Sequence, residues 1–273
     1  MNIDETSLHN GELYTIITNK DAKGKKGILA AIIKGTKSSL VSQGICNQLS
    51  AKELFSVKEI TLDLANSMDW ICNICFPNAI KTGDRFHFQK VVSEGVQEIR
   101  IKLRREAIDK ENEIIVEAKK ERRKYTPKRF TNGDTEKQLL ARSRHLLFKT
   151  KNKWTKTQSK RAEILFEEYS ELEKAYKFSM YFRNIFEAKI KREEAKERLD
   201  KWYEKISRSS IPTLISSANT IKNNEGKILN YFHSRSTNAS AESFNAKIKS
   251  FRSLLRGVRD INFFLFRLEK LYA

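Results

Sequence analysis

Three aspartates fall at the ends of stretches that read as β-strands: Asp4 at the N-terminus, Asp63 closing Ile60-Thr61-Leu62, and Asp84 following Gly83. A carboxylate is expensive inside a core. At a strand end it is useful, because hard cations such as Mg²⁺ or Mn²⁺ take oxygen ligands there. Carboxylates from separate elements can flank two ions about 4 Å apart, the arrangement that drives in-line displacement at phosphorus. Taken singly, each Asp reads as a turn or cap residue sooner than as a metal ligand. A second constellation lies in residues 238–259. If these are helical, Glu242, Asn245, Lys249, Arg252, Arg256 and Arg259 fall on one stripe, and Phe244, Ile248, Phe251, Leu255 and Val258 fall opposite. One acid and one amide are followed only by cations, which suits a track for phosphates. The same order also complements a helix dipole.

Other chemistries find less support. Cys72 and Cys75 make a single C-x-x-C inside the apolar pattern Trp70, Ile71, Ile74 and Phe76, so core packing is expected rather than zinc. His9, His145 and His233 have no serine or cysteine partner at a recognisable elbow. His87 lies three residues after Asp84, a spacing that suits a structural hydrogen bond. The basic turn Lys23-Gly24-Lys25-Lys26-Gly27 lacks the spacing of a phosphate-cradling loop, which leaves ATP use unsupported.

The elements that must hold these residues divide the chain. Residues 1–94 read as short alternating elements. A strand at the extreme N-terminus is followed by a hairpin of Leu13–Thr18 and Gly27–Ile33, a helix over Ser38–Leu49, a strand over Val57–Leu64, a helix over Asn66–Cys75 stopped by Pro77, and a strand over Ala79–Thr82. The order is βββαβαβ. From about Gly95 to Arg235 the texture becomes long, charged and helical, as over Glu163–Ile206, with loops near Thr126–Asp134 and Ser207–Pro212. The net charge of +19 lies almost wholly beyond Gly95, and a cationic excess of that size draws polyphosphate backbones by releasing counterions. Nucleic acid is the expected partner. Three cysteines, no apolar leader and no run of roughly 20 apolar residues point to a reduced, cytoplasmic chain without a membrane span.

The residues Ile3-Asp4-Glu5-Thr6-Ser7, Thr61-Leu62-Asp63-Leu64, Phe76-Pro77-Asn78-Ala79, Asp84-Arg85-Phe86-His87, Ser143-Arg144-His145-Leu146-Leu147 and Thr237-Asn238…Glu242…Asn245…Lys247-Ile248-Lys249, in that order, resemble the DDE transposases of bacterial insertion sequences. The resemblance runs along nearly the whole chain. It implies an α/β, ribonuclease H-like mixed sheet with a large helical insertion before the last catalytic helix. The catalytic core would then comprise 1–94 and 236–273, and the insertion 95–235. It also implies a metal-binding catalytic triad of Asp4, Asp63 and Glu242, with Asp84 as the alternative second acid, and two Mg²⁺ or Mn²⁺ ions. Asn245, Lys249, Arg252, Arg256 and Arg259 would contact DNA.

The implied activity is metal-dependent cleavage of element ends followed by 3′-hydroxyl strand transfer into target DNA, by a homo-oligomer assembled on DNA in the bacterial nucleoid. A hydrolytic nuclease or resolvase of the same fold, or a non-catalytic basic helical protein that binds nucleic acid, are the alternatives. The chain departs from the family pattern at its start. Only Met1–Ile3 precede the first acid, which implies a nearly truncated first strand and end recognition supplied by a separate N-terminal DNA-binding chain or by a frameshifted fusion.

Overall fold

The computed structural model describes residues 1–9, 11–255 and 260–273. They divide into two compact units, one of residues 1–88 and 224–273, the other of residues 89–223.

The first unit is built on a mixed sheet. Strands β1 (Asn2–His9), β2 (Glu12–Thr18) and β3 (Leu29–Lys34) form an antiparallel meander, and β4 (Glu59–Leu62) and β5 (Ile80–Gly83) add in parallel on the other side of β1, giving the order β3-β2-β1-β4-β5. The first strand is longer than expected. It runs eight residues and pairs with β2 from Asn2↔Thr18 to His9↔Glu12, because hydrogen bonds along β2 sustain it well past Asp4. Helices α1 (Ser38–Gln48), α2 (Ala51–Ser56) and α3 (Asn66–Cys75) connect the strands. Helix α2 was not legible from periodicity, being only six residues long. It is set by a capping box in which the Ser50 hydroxyl accepts from the Glu53 backbone and the Glu53 carboxylate accepts from the Ser50 backbone.

The two faces of the sheet are buried differently. Ile3, Ile17, Ala31, Ile33, Ile60 and Leu62 face Val41, Ile45, Met68, Ile71, Cys72 and Cys75 in one apolar cluster. Both C-x-x-C thiols therefore sit in the core, and burial pushes Cys72 up to about 12 and Cys75 to about 11, values that disfavour the thiolate a metal would need. Close packing also fixes Gly44, where a side chain would meet Ile33.

Beyond β5 the chain turns at Asp84 into α4 (Arg85–Lys120), so Arg85-Phe86-His87 open a helix and do not continue the strand. Helices α5 (Glu136–Arg142), α6 (Lys156–Glu168), α7 (Ser170–Glu187), α8 (Arg192–Ser207) and α9 (Pro212–Asn223) follow. The expected helical run over Glu163–Ile206 is broken at Tyr169 and again at 188–191. The second unit is held by side chains such as Leu139, Leu165, Leu172, Phe182, Leu199 and Trp202, and by the buried Asp134, whose carboxylate takes Arg142 and Arg161. Inside it, Gln97 donates to the Arg144 carbonyl and Arg100 to the Leu140 carbonyl.

Three helices return to the first unit: α10 (Glu225–Ser234), α11 (Ala239–Leu254) and α12 (Ile261–Tyr272). Phe244 and Ile248 of α11 and Phe264 and Leu268 of α12 cover the second face of the sheet against Leu8, Tyr14, Ile16, Leu29 and Ile32. Burial of these large side chains is worth about 1.5–3 kcal/mol each and fixes which stripe of α11 faces the sheet.

Candidate active site

Strand alternation places Ile3 in the core on one face of β1, and Asp4 on the face that α11 covers. Asn2 is in parallel register with Thr61, and Thr61 with Thr82. Two residues further along each strand come Asp4, Asp63 and Asp84, so the three carboxylates occupy one row across β1, β4 and β5, at or just past the carboxyl ends of β4 and β5. Parallel pairing of these strands is what lines the acids up.

Each carboxylate is held differently. Asp4 is half-buried; its Oδ1 accepts the Glu5 backbone N–H at 2.8 Å, and its Oδ2 accepts the side-chain amide of Asn245 at 2.7 Å. Burial pushes the Asp4 carboxyl above the usual carboxylate range. The Glu5 N–H and His87 oppose the rise, while negative charge on Asp63 and Asp84 adds to it. Asp63 is also half-buried, with one oxygen accepting the Ala65 N–H at 2.9 Å in a local turn.

Asp84 is wholly buried. Its Oδ2 lies 3.1 Å from His87 Nδ1 and its Oδ1 accepts the Asn238 N–H at 3.4 Å, while its own backbone N–H donates to the Leu62 carbonyl. The N-termini of α4 and α11 thus converge on one carboxylate, where their dipoles favour negative charge. The hydrogen bond from Asp84 raises the His87 imidazole above its ordinary value, against the effect of burial. That contact is the one the Asp84–His87 spacing suggests.

Glu242 lies on α11 one turn before Asn245, on the same stripe. It is exposed, with its backbone N–H on the Asn238 carbonyl. Lys249 is exposed and Arg252 half-buried further along, while Arg256 and Arg259 lie outside the described residues. Asn245 itself is buried, so its amide is spent on Asp4 rather than presented outward.

A family model described as a transposase, that of the ISL3-type DDE transposases, matches residues 1–268. The chain belongs to this transposase family. Searches of curated proteins and of solved structures give no match. Membership accounts for the α/β architecture, a ribonuclease H-like mixed sheet surrounded by helices, and makes the protein a DNA transposase encoded by a mobile element. Among the described residues, no helix is long and apolar enough to cross a membrane.

The donor set of this transposase suits a hard divalent cation. The row itself offers carboxylate oxygens, with the His87 imidazole held on Asp84, and Asp4 is penalised as an anion by burial and by two neighbouring carboxylates, a penalty that a bound cation would relieve. Among the described residues, no three His, Cys, Asp or Glu side chains stand close enough to enclose a metal, and Glu242 remains outside the row.

Two further groups in this region are not among the expected site residues. Glu5 is next to Asp4, and burial, with Asp63 and Asp4 nearby, pushes its carboxyl up as well. Lys20, from the turn after β2, reaches the polar end of the same face and donates to Thr61 and Ser236. Glu5 follows Asp4 directly within the Ile3–Ser7 motif, whereas Lys20 has no motif with a fixed spacing to the acids and only the folded sheet brings it there.

Proposed function

We propose that the transposase cuts element ends and joins them to target DNA with a metal-dependent site formed by Asp4, Asp63 and Glu242. The observation that carries this reading is the row of carboxylates at Asp4, Asp63 and Asp84, joined by the Asn245–Asp4 hydrogen bond to the helix that bears Glu242. Asp63 is favoured over Asp84 as second acid because Asp84 is wholly buried and spends both oxygens on His87 and Asn238.

Two Mg²⁺ or Mn²⁺ ions, when bound, would activate the attacking oxygen and stabilise the leaving one. Asp4 and Asp63 present oxygen ligands from two adjacent strands, and Glu242 supplies a third from α11. Asn245 orients Asp4 by holding Oδ2, and Lys249 and Arg252 neutralise DNA phosphates along the helix that leads from Glu242. In the first reaction water attacks phosphorus at the element end, the P–O3′ bond breaks, and a 3′-hydroxyl is released. In the second that hydroxyl attacks a target phosphodiester, forming a new P–O3′ bond as a target strand opens. Both are in-line displacements, so one set of residues serves both.

In this reading the first unit, residues 1–88 and 224–273, forms the catalytic core, and residues 89–223, a span slightly shorter than the expected 95–235, form the helical insertion. The protein works as a homo-oligomer on DNA. The test is Asp63→Asn: loss of Mg²⁺- or Mn²⁺-dependent end cleavage with duplex affinity retained is expected. Cleavage at the parent rate would overturn the assignment.

A further inference from the structure

The row of the sheet two residues before the acids is polar as well. Asn2, Thr18, Thr61 and Thr82 are in register with one another on β1, β2, β4 and β5, and all are buried. On this same face, further along β1 and β2, the sheet is apolar, with Leu8, Ile16 and Tyr14 against Phe244 and Ile248. Polar residues in such a place weaken packing unless they hold something in position.

Two of the four, Thr61 and Thr82, hold the link between α10 and α11 through Lys20 and Glu59, whereas the buried Asn2 and Thr18 side chains make no hydrogen bond among the described residues. Lys20 reaches across β1 from the end of β2 and donates both to the Thr61 hydroxyl and to Ser236 Oγ. Glu59, at the start of β4, accepts from Thr82 at 2.9 Å and from Ser234 at 2.6 Å. Ser234 ends α10, Arg235 turns the chain with a φ of 53°, and Asn238 caps α11. A non-glycine residue in the left-handed region persists only where its surroundings fix it, and here polar clips grip the chain on either side. Despite its burial, Glu59 is held below the usual carboxylate range by the Ser234 and Thr82 hydroxyls and by Lys20. Burial lowers the Lys20 ammonium, with Glu59, Asp21 and Asp84 opposing.

We infer that Lys20 is a positioning residue for Glu242: by binding Thr61 and Ser236 together, its ammonium sets the spacing between the strand that ends in Asp63 and the helix that carries Glu242. The inference rests on the proposed Asp4, Asp63 and Glu242 site. Lys20 acts on that site through the backbone, since Thr61 is two residues before Asp63 and Ser236 is six before Glu242. A ligand set assembled from two elements binds its ion only as well as their separation is fixed.

The experiment compares the full-length parent with Lys20→Met, Ser236→Ala and the double variant. Free Mn²⁺ is titrated by electron paramagnetic resonance without DNA, and duplex affinity and thermal unfolding are measured alongside. Lys20→Met should weaken Mn²⁺ binding about tenfold, and Ser236→Ala should weaken it less but in the same direction. The double variant should match Lys20→Met alone, because both substitutions cut one connection. Duplex affinity should be unchanged. Should Lys20→Met not fold, Ser236→Ala, which removes one half-buried hydroxyl, carries the comparison alone. Parent-like Mn²⁺ affinity in the variants that fold overturns the inference, and so does a loss of duplex affinity with Mn²⁺ binding intact, which would make Lys20 a phosphate contact. A parent that binds no Mn²⁺, and is indistinguishable from Asp63→Asn, overturns the site reading itself.

Discussion

Asn245 Nδ2 donates to Asp4 Oδ2 at 2.7 Å, a hydrogen bond between residues 241 positions apart that ties α11 to the first strand. It joins the part of the chain that holds the aspartates to the part that holds Glu242. A hydrogen bond to a charged group contributes about 1.5–3 kcal/mol, and losing one partner of a half-buried pair leaves the other underfed. Asn245→Ala should therefore lower end cleavage on the order of tenfold through misorientation of Asp4. Asn245→Asp should be worse than Ala, because it replaces a donor with a fourth negative charge beside a carboxyl that is already hard to ionise. Cleavage rates for the two variants, with urea unfolding to subtract any loss of fold, check the order; equal rates for Asp and Ala would refute it.

Asp4 makes a second prediction through charge. Its carboxyl is raised by burial, with Asp63 and Asp84 adding to the effect, so its anion destabilises the metal-free fold. The sign follows from linkage. The penalty is absent below the unfolded value of 3.8, grows as pH rises through the folded value, and is complete at neutral pH. Asp4→Asn should then be more heat-stable than the parent at pH 7 in the presence of a chelator. Adding Mn²⁺ at about 100 times its dissociation constant should stabilise the parent by about 2.7 kcal/mol and leave the variant unmoved. Scanning calorimetry with and without Mn²⁺ decides it, and an equal response from both proteins counts against Asp4 as a ligand.

Much of this architecture was legible in the sequence because period-2 and period-3.6 patterns were clean: β2, β3, α1, α3 and the buried stripe of α11 at Phe244 and Ile248 appear where the apolar spacing puts them. What escaped depends on partners distant in sequence. The length of β1 is set by its antiparallel pairing with β2, not by the few residues before Asp4. Asn245 lies on the basic stripe by spacing, yet the sheet buries it and turns its amide to Asp4. Lys20 has no local pattern at all, since its two acceptors come from β4 and from the link before α11. Asp63 and Asp84 were recognisable as strand-end residues, whereas Asp4 lies inside β1. Their alignment in one row required the parallel register of β1, β4 and β5.

His87 gives a prediction in pH. The Asp84 hydrogen bond raises its folded value above the 6.5 of an unperturbed imidazole, against burial. A histidine raised on folding contributes stability that is fully present below 6.5 and is lost as pH rises through the folded value. The difference in unfolding free energy between the parent and His87→Gln should therefore be largest near pH 6 and shrink as pH climbs past the raised value. The ring is 37% exposed, so solvent screens the pair and the effect stays small. A gap between the two unfolding curves that is constant from about pH 5.5 to about pH 8.5, roughly one unit below and two above the 6.5 of an unperturbed imidazole, would show that His87 is held without its charge.

The cationic stripe of α11 makes the last prediction, one for DNA. Lys249 is exposed and Arg252 half-buried on the helix that carries Glu242, and the chain as a whole has a net charge of +19. Each side chain that neutralises a phosphate releases counterions, and the slope of log affinity against log salt becomes steeper by about 0.9 per contact. Lys249→Ala and Arg252→Ala should each weaken duplex binding by a similar factor on any sequence and reduce that slope by about 1. Loss at one sequence only, with the slope intact, would instead mark a base contact. Because these cations follow Glu242 along one helix, the same variants should also lower cleavage at limiting DNA and recover it at saturating DNA. That recovery separates them from Asp63→Asn, whose loss of cleavage no DNA concentration should repair.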